Sequence, residues 1–167
     1  MNQKGYIRWI IFIVFLVGVL AFIYTKSQES LPGDLIYPLK GVKEGIGLAM
    51  NELNYEGRAS RYMEHSFERF DEAMKLIELK RDENDIKQAL ENLSESQERA
   101  LDNFERARVY GTSIVPHLEK FEGELTKQQE VLFELLFQVS PSLYDSIKSA
   151  LQKTEESIET VRYMKVR

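Results

Sequence analysis

The sequence predicts an all-α chain: an N-terminal transmembrane helix followed by an elongated three- to four-helix antiparallel bundle. Three observations predict it. Residues 9–24 hold no charge and no strongly polar side chain. After Pro38 the apolar residues recur at steps of three and four, the spacing of a helix face. No segment sustains the period-two alternation of a half-buried strand.

The first element is WIIFIVFLVGVLAFIY, Trp9 to Tyr24. With Tyr6 and Ile7 it approaches the roughly 17–25 residues that cross a hydrocarbon core as a helix. Arg8 at its edge can snorkel to the headgroups, and Tyr6, Trp9 and Tyr24 supply aromatic belts at the two interfaces. Lys4 and Arg8 precede the run, so the positive-inside rule places residues 1–8 in the cytoplasm as a short tail. Residues 9–24 then act as a single-pass signal anchor in the cell membrane, contacting the lipid bilayer. A cleaved signal peptide ending at Val19-Leu20-Ala21 is the alternative, although Phe22, Ile23 and Tyr24 continue the apolar run past that cut. Both readings put the rest of the chain outside the cytoplasm.

Residues 25–37 read as linker and turn. Leu31-Pro32-Gly33-Asp34 fits a type II turn, with proline fixing φ at its second position and glycine supplying positive φ at its third. Asp34 is placed to accept N–H groups of the following residues, and Pro38 suits a first helical turn, where its missing N–H costs nothing.

Residues 38–163 form the extracytoplasmic helical domain. Val42, Ile46, Ala49 and Leu53 open a stripe that Met63, Phe67, Phe70, Met74 and Ile77 continue. Taken as one helix to Arg81 it spans roughly 60 Å at 1.5 Å per residue, with Gly57 as the point where it can bend. Asp82–Asp85 breaks it. A second helix carries Ile86, Leu90, Leu93, Ala100, Leu101, Phe104 and Ala107 and closes near Gly111. A third begins around Thr112-Ser113 with Pro116 in its first turn; Leu118, Phe121, Leu125, Leu132, Leu135, Leu136 and Val139 line its inner face. Ser140-Pro141 starts a fourth, with Tyr144, Ile147, Leu151, Ile158 and Val161 inward. The near-3.5 beat suits coiled-coil-like packing at shallow crossing angles.

At LPGDLIYPLK the chain resembles a bacterial exported helical domain of uncharacterised function, marked by a P-G-D-x-x-Y-P-x-K-like lead-in to a long helix. The matching residues are Pro32, Gly33, Asp34, Tyr37, Pro38 and Lys40. The likeness continues through NDIKQALENLSESQERALDNFERAR to the closing SPSLYDSIKSALQKTEESI. The resemblance implies a helical fold outside the membrane. In some members the domain is the extracytoplasmic part of anti-sigma-factor-like proteins; a tail ending at Arg8 leaves no room for their sigma-binding part. It transfers no functional residues.

Composition narrows the chemistry. The chain has no cysteine, which removes disulfides, thiolate metal sites and thiol nucleophiles. It has 22 basic and 27 acidic residues, and setting aside Lys4 and Arg8 leaves 20 against 27, a formal −7 outside the membrane. Such a domain is expected to be repelled by nucleic acid and by anionic lipid surfaces. Of the two histidines, His65 stands beside Glu64 and one turn from Glu68, but neither it nor His117 belongs to the Glu-x-x-His pairs of a di-metal bundle. Met50, Met63 and Met74 read as core filling. Gly41 and Gly45 form GxxxG, which close approach of the fourth helix would explain. No Ser/His/Asp constellation, nucleotide loop or catalytic carboxylate pair is legible, so neither catalysis, a cofactor nor a resident metal is expected. The expected function is an interaction or sensing module of the cell envelope that binds a protein partner or a second copy of itself. A periplasmic-type metal- or stress-responsive binder, using His65, Met63 and their acidic neighbours, is the alternative.

Overall fold

The computed structural model describes residues 13–19, 21–22, 25–27, 29–49 and 54–166, and among them it contains helices and no strand. Residues 13–19 are helical. Among the described residues no helix is long and apolar enough to cross a membrane. The expected span at 9–24 falls in part on residues outside the described set, and the interface residues Tyr6, Arg8, Trp9 and Tyr24 lie wholly outside it. The chain divides into two compact units, Met1–Gly45 and Ile46–Arg167.

In the first unit the expected turn is formed. Gly33 has φ 89°, and the Asp34 N–H donates to the Leu31 carbonyl at 3.0 Å. The Asp34 carboxylate accepts from the Leu31 N–H at 2.9 Å, which closes the turn from both sides. Helix α1, Tyr37–Ala49, follows with Pro38 in its first turn, so Pro32, Gly33 and Asp34 make the turn while Tyr37, Pro38 and Lys40 open the helix. Among the described residues a Cβ built at Gly41 or Gly45 would meet nothing within 4 Å, so no close helix approach there accounts for the GxxxG spacing.

The long first helix expected from the periodicity is interrupted. Helix α2 runs Tyr55–Glu78, and Asn54 stands before it in extended geometry, its side chain accepting from the Gly57 N–H at 3.0 Å. An asparagine that satisfies an orphan N–H of the next turn starts a helix there. Gly57 therefore belongs to the first turn of α2 and is not a bend in a continuous rod. Helices α3 (Glu83–Val109), α4 (Val115–Leu135) and α5 (Pro141–Val166) complete the second unit.

Side-chain pairs fix the register of the four. Tyr55 stacks on Tyr110 at 5.2 Å between ring centroids, and Arg99 donates to the Tyr62 hydroxyl at 3.2 Å, so α2 and α3 run antiparallel. Arg162 donates to Glu122 at 2.7 Å and Gln129 to Glu155 at 3.1 Å, so α4 and α5 are antiparallel too. Ser140 and Ser142 reach Glu83 while Thr154 meets Gln97, which sets α5 parallel to α3. Main chains of α2 and α3, α3 and α5, and α5 and α4 pack closely, whereas α2 and α4 meet over a much shorter stretch. The result is an up-and-down four-helix arrangement with one loose seam.

The core of α2 lies one step from the stripe read in the sequence. Ala59, Ser66 and Ala73 recur every seventh residue and are completely buried. In the register set by Tyr55 and Tyr110 they stand level with Ala107, Ala100 and Leu93 of α3, which are also buried. Small residues at these positions let two helix backbones approach closely. Phe67, Phe70, Met74 and Ile77, read as inward, are only half-buried, and Met63 alone of that stripe is core. On α4 the inward residues are Leu118, Phe121, Leu125 and Leu132, but the helix stops at Leu135, so Leu136 and Val139 fall in the following turn and are half-buried. On α5 Leu143 is buried in place of Tyr144.

Candidate interaction site

Two features of the second unit stand out as candidate sites. The first is the seam where α2 and α4 pack loosely. At its α2 N-terminal end, His117 Nε2 lies 3.0 Å from Glu56 Oε1, and its Nδ1 lies 3.4 Å from the Ser60 hydroxyl. Glu56 and Ser60 are four residues apart, so they share a face of α2 and together hold one imidazole from α4. A serine, a histidine and a carboxylate are thus adjacent. Ser60 sits within α2 and His117 within α4. The arrangement is a clasp between helices.

Further along the seam Phe67 packs against Phe121 with centroids 6.2 Å apart, and the Lys120 ammonium lies 5.9 Å from the Phe67 centroid. Beyond them Asp71 has its carboxyl raised above its ordinary value, first by partial burial and then by the charges of Glu124 and Glu68. Clasp, aromatic contact and acidic pair therefore follow one another along the seam.

The second feature is at the other end of α4. Phe133 and Phe137 meet edge to face at 5.4 Å and remain 55% and 77% exposed. Leu132 is the last fully buried residue of α4, and Phe133 and Phe137, four residues apart, share an outward side of the chain.

The residues singled out in the sequence distribute as follows. His65 is buried and meets Tyr62 edge-on at 6.1 Å; the acidic neighbour Glu64 pairs instead with Arg61 at 3.1 Å. Among the described residues no group of three or more histidine, aspartate or glutamate side chains could hold a metal ion. Met63 is core, Met74 is half-buried, and Met50 lies outside the described residues. Arg69 is buried and bonded to Glu72 at 2.7 Å. The sequence missed the His117 clasp, because its two elements are about sixty residues apart and a lone histidine has no period. The exposed Phe133 and Phe137 were hidden by their resemblance to a continuing apolar face.

A family model described as a domain of unknown function, DUF5667, matches residues 29–142. No curated protein and no solved structure matches the chain.

Proposed function

The chain belongs to the DUF5667 domain family, and from that premise we propose that it is a membrane-anchored extracytoplasmic helical module of the cell envelope that works by binding a protein partner. The observation that carries this reading is the exposed aromatic pair Phe133 and Phe137. Aromatic side chains grouped on a surface are the composition of interaction hot spots. The apolar run 9–24 supports anchoring, with residues 1–8 in the cytoplasm and the helical domain outside. The lead-in motif Pro32, Gly33, Asp34, Tyr37, Pro38 and Lys40 directs the chain from the anchor into helix. Its likeness to the extracytoplasmic parts of anti-sigma-factor-like proteins supports a sensing role.

The test has two arms in intact bacterial cells. External protease should degrade the helical domain of the membrane-bound chain, and a photo-crosslinking residue at Phe137 should give a discrete adduct that the same residue at exposed Glu91 does not. A chain recovered in the cytosol and shielded from protease would end the anchored reading. Equal labelling at the two positions would end the assignment of the aromatic patch.

A further inference from the structure

Helix α1 presents its apolar side outward. Leu39, Val42, Ile46 and Ala49 recur at steps of three and four, the spacing of a face that packs against a neighbour. All four are exposed, Leu39 by 46%, Val42 by 61% and Ile46 by 59%. Leu35, in the turn just before the helix and four residues ahead of Leu39, is fully exposed. The charged residues do the reverse: Lys40 is buried, and Lys43 and Glu44 are half-buried. No exposed residue of α1 carries a charge.

Gly41 and Gly45 lie beside this stripe, both exposed, with open space where a Cβ would stand. Two small residues four apart let a second helix backbone approach closely, as GxxxG does between membrane helices. At about 100° per residue, the four apolar residues and both glycines fall on less than half of the helix circumference. An uncharged helix face of that width is unfavourable in water and calls for a cover. Helices that lie in a bilayer surface set tryptophan, phenylalanine and leucine toward the lipid. The exposed face of α1 has no aromatic residue and two glycines, a composition suited to another helix.

We propose that this face of α1 is covered by the same face of a second copy of the chain. The proposal rests on the anchored reading, because two copies held by residues 9–24 in one membrane send their α1 helices out in the same direction. Identical positions then meet across a two-fold axis, Val42 against Val42 and Ile46 against Ile46, as in a parallel helix pair. Helix α1 exposes seven residues, where a standard interface uses about 20–30 a side. The contact is therefore too small to hold two copies together from dilute solution. Confinement in one bilayer raises the effective concentration and offsets that shortfall. The size of the face fits a dimer that forms in the membrane and falls apart outside it.

The absence of cysteine makes the test direct. The full chain is produced with a single cysteine in place of Val42, Ile46 or Glu91, the last an exposed residue of α3, and its membranes are oxidised with copper-phenanthroline. Val42→Cys and Ile46→Cys should each give about tenfold more disulfide-linked dimer than Glu91→Cys. In a second arm, donor- and acceptor-labelled copies of Glu29→Cys are mixed in phosphatidylcholine vesicles. Energy transfer between them should be lost when Val42→Glu and Ile46→Glu are added, or Val42→Ser and Ile46→Ser in a milder variant, with the helical circular dichroism retained. Equal cross-linking at the three positions overturns the proposal, and so does energy transfer indifferent to both double variants, which would place the contact in the anchor. A label at 42 quenched by bilayer-borne nitroxides, with no disulfide at 42, would give the face to lipid and overturn it too. Flotation with the vesicles reports the anchor separately. A chain that floats without forming the disulfide ends the dimer alone, whereas a chain that does not float ends the anchored reading and the dimer with it.

Discussion

Gln97 of α3 donates through Nε2 to the Oε1 of Gln128 on α4 at 3.0 Å, although the two helices face each other across the core and do not pack side by side. The same amide lies 3.1 Å from the Thr154 hydroxyl of α5, and Thr154 donates in turn to the Ala150 carbonyl at 2.9 Å. All three side chains are buried. A satisfied polar layer in an apolar bundle penalises every register that separates its members.

Gln97→Ala should therefore destabilise the domain by about 3 kcal/mol, through a cavity and a stranded Gln128 amide. Gln97→Leu with Gln128→Leu removes donor and acceptor together and should stay within about 1 kcal/mol of the parent. Urea denaturation followed by circular dichroism separates the two outcomes. A double variant as unstable as Gln97→Ala would show that the layer acts through packing and not through its hydrogen bonds.

Helices α2 and α3 end in the same way with different residues. After α3, Gly111 has φ 79°, and Thr112 N–H returns to the Ala107 carbonyl at 3.1 Å. After α2, Lys80 takes φ 49°, and Arg81 N–H returns to the Leu76 carbonyl at 3.0 Å. Both are Schellman closures, whose left-handed position suits glycine and strains lysine. Lys80→Gly should stabilise the domain by about 1 kcal/mol and Gly111→Ala should destabilise it by at least about 1 kcal/mol. Thermal unfolding of the two variants reads the opposite signs directly.

Much of this fold was legible because its signals are local. Gly33 and Pro32 made the turn, Gly111 ended α3, and Ser140-Pro141 opened α5 at the expected places. The errors come where a helix chooses between adjacent faces. Phe67, Phe70 and Met74 outweigh Ala59, Ser66 and Ala73 in hydrophobicity, yet the small residues permit the α2–α3 approach and so take the core. The candidate site was less legible still: the His117 clasp joins helices that are distant in sequence.

Arg69 and Glu72 form a buried ion pair on a single helix, with both side chains less than a tenth exposed. Removing one partner leaves a charge in a poorly solvated place, so Glu72→Ala should cost about 3–5 kcal/mol. Arg69→Met with Glu72→Leu should restore most of that loss, since apolar residues of similar volume replace such pairs without penalty. Chemical denaturation of the single and double variants measures the difference, and an equally unstable double variant would show that other partners of the pair carry the energy.

Two carboxylates should give the domain opposite responses to acid. Glu122 accepts from Lys165 and Arg162, which hold its carboxyl below the ordinary value. Its contribution is present above the unfolded-state value and is lost as pH falls through the lower folded one. Asp71 is raised by burial and by Glu124 and Glu68, so its ionisation opposes folding at neutral pH, and that penalty disappears as pH falls through its raised value. Glu122→Gln should accordingly lower the Tm at neutral pH, with the deficit closing below the usual carboxylate range. Asp71→Asn should raise the Tm at neutral pH, with the gain vanishing on acidification. Tm profiles of the three proteins from neutral to strongly acid pH test both signs together, and a pH-independent offset for either variant would assign its effect to packing instead of charge.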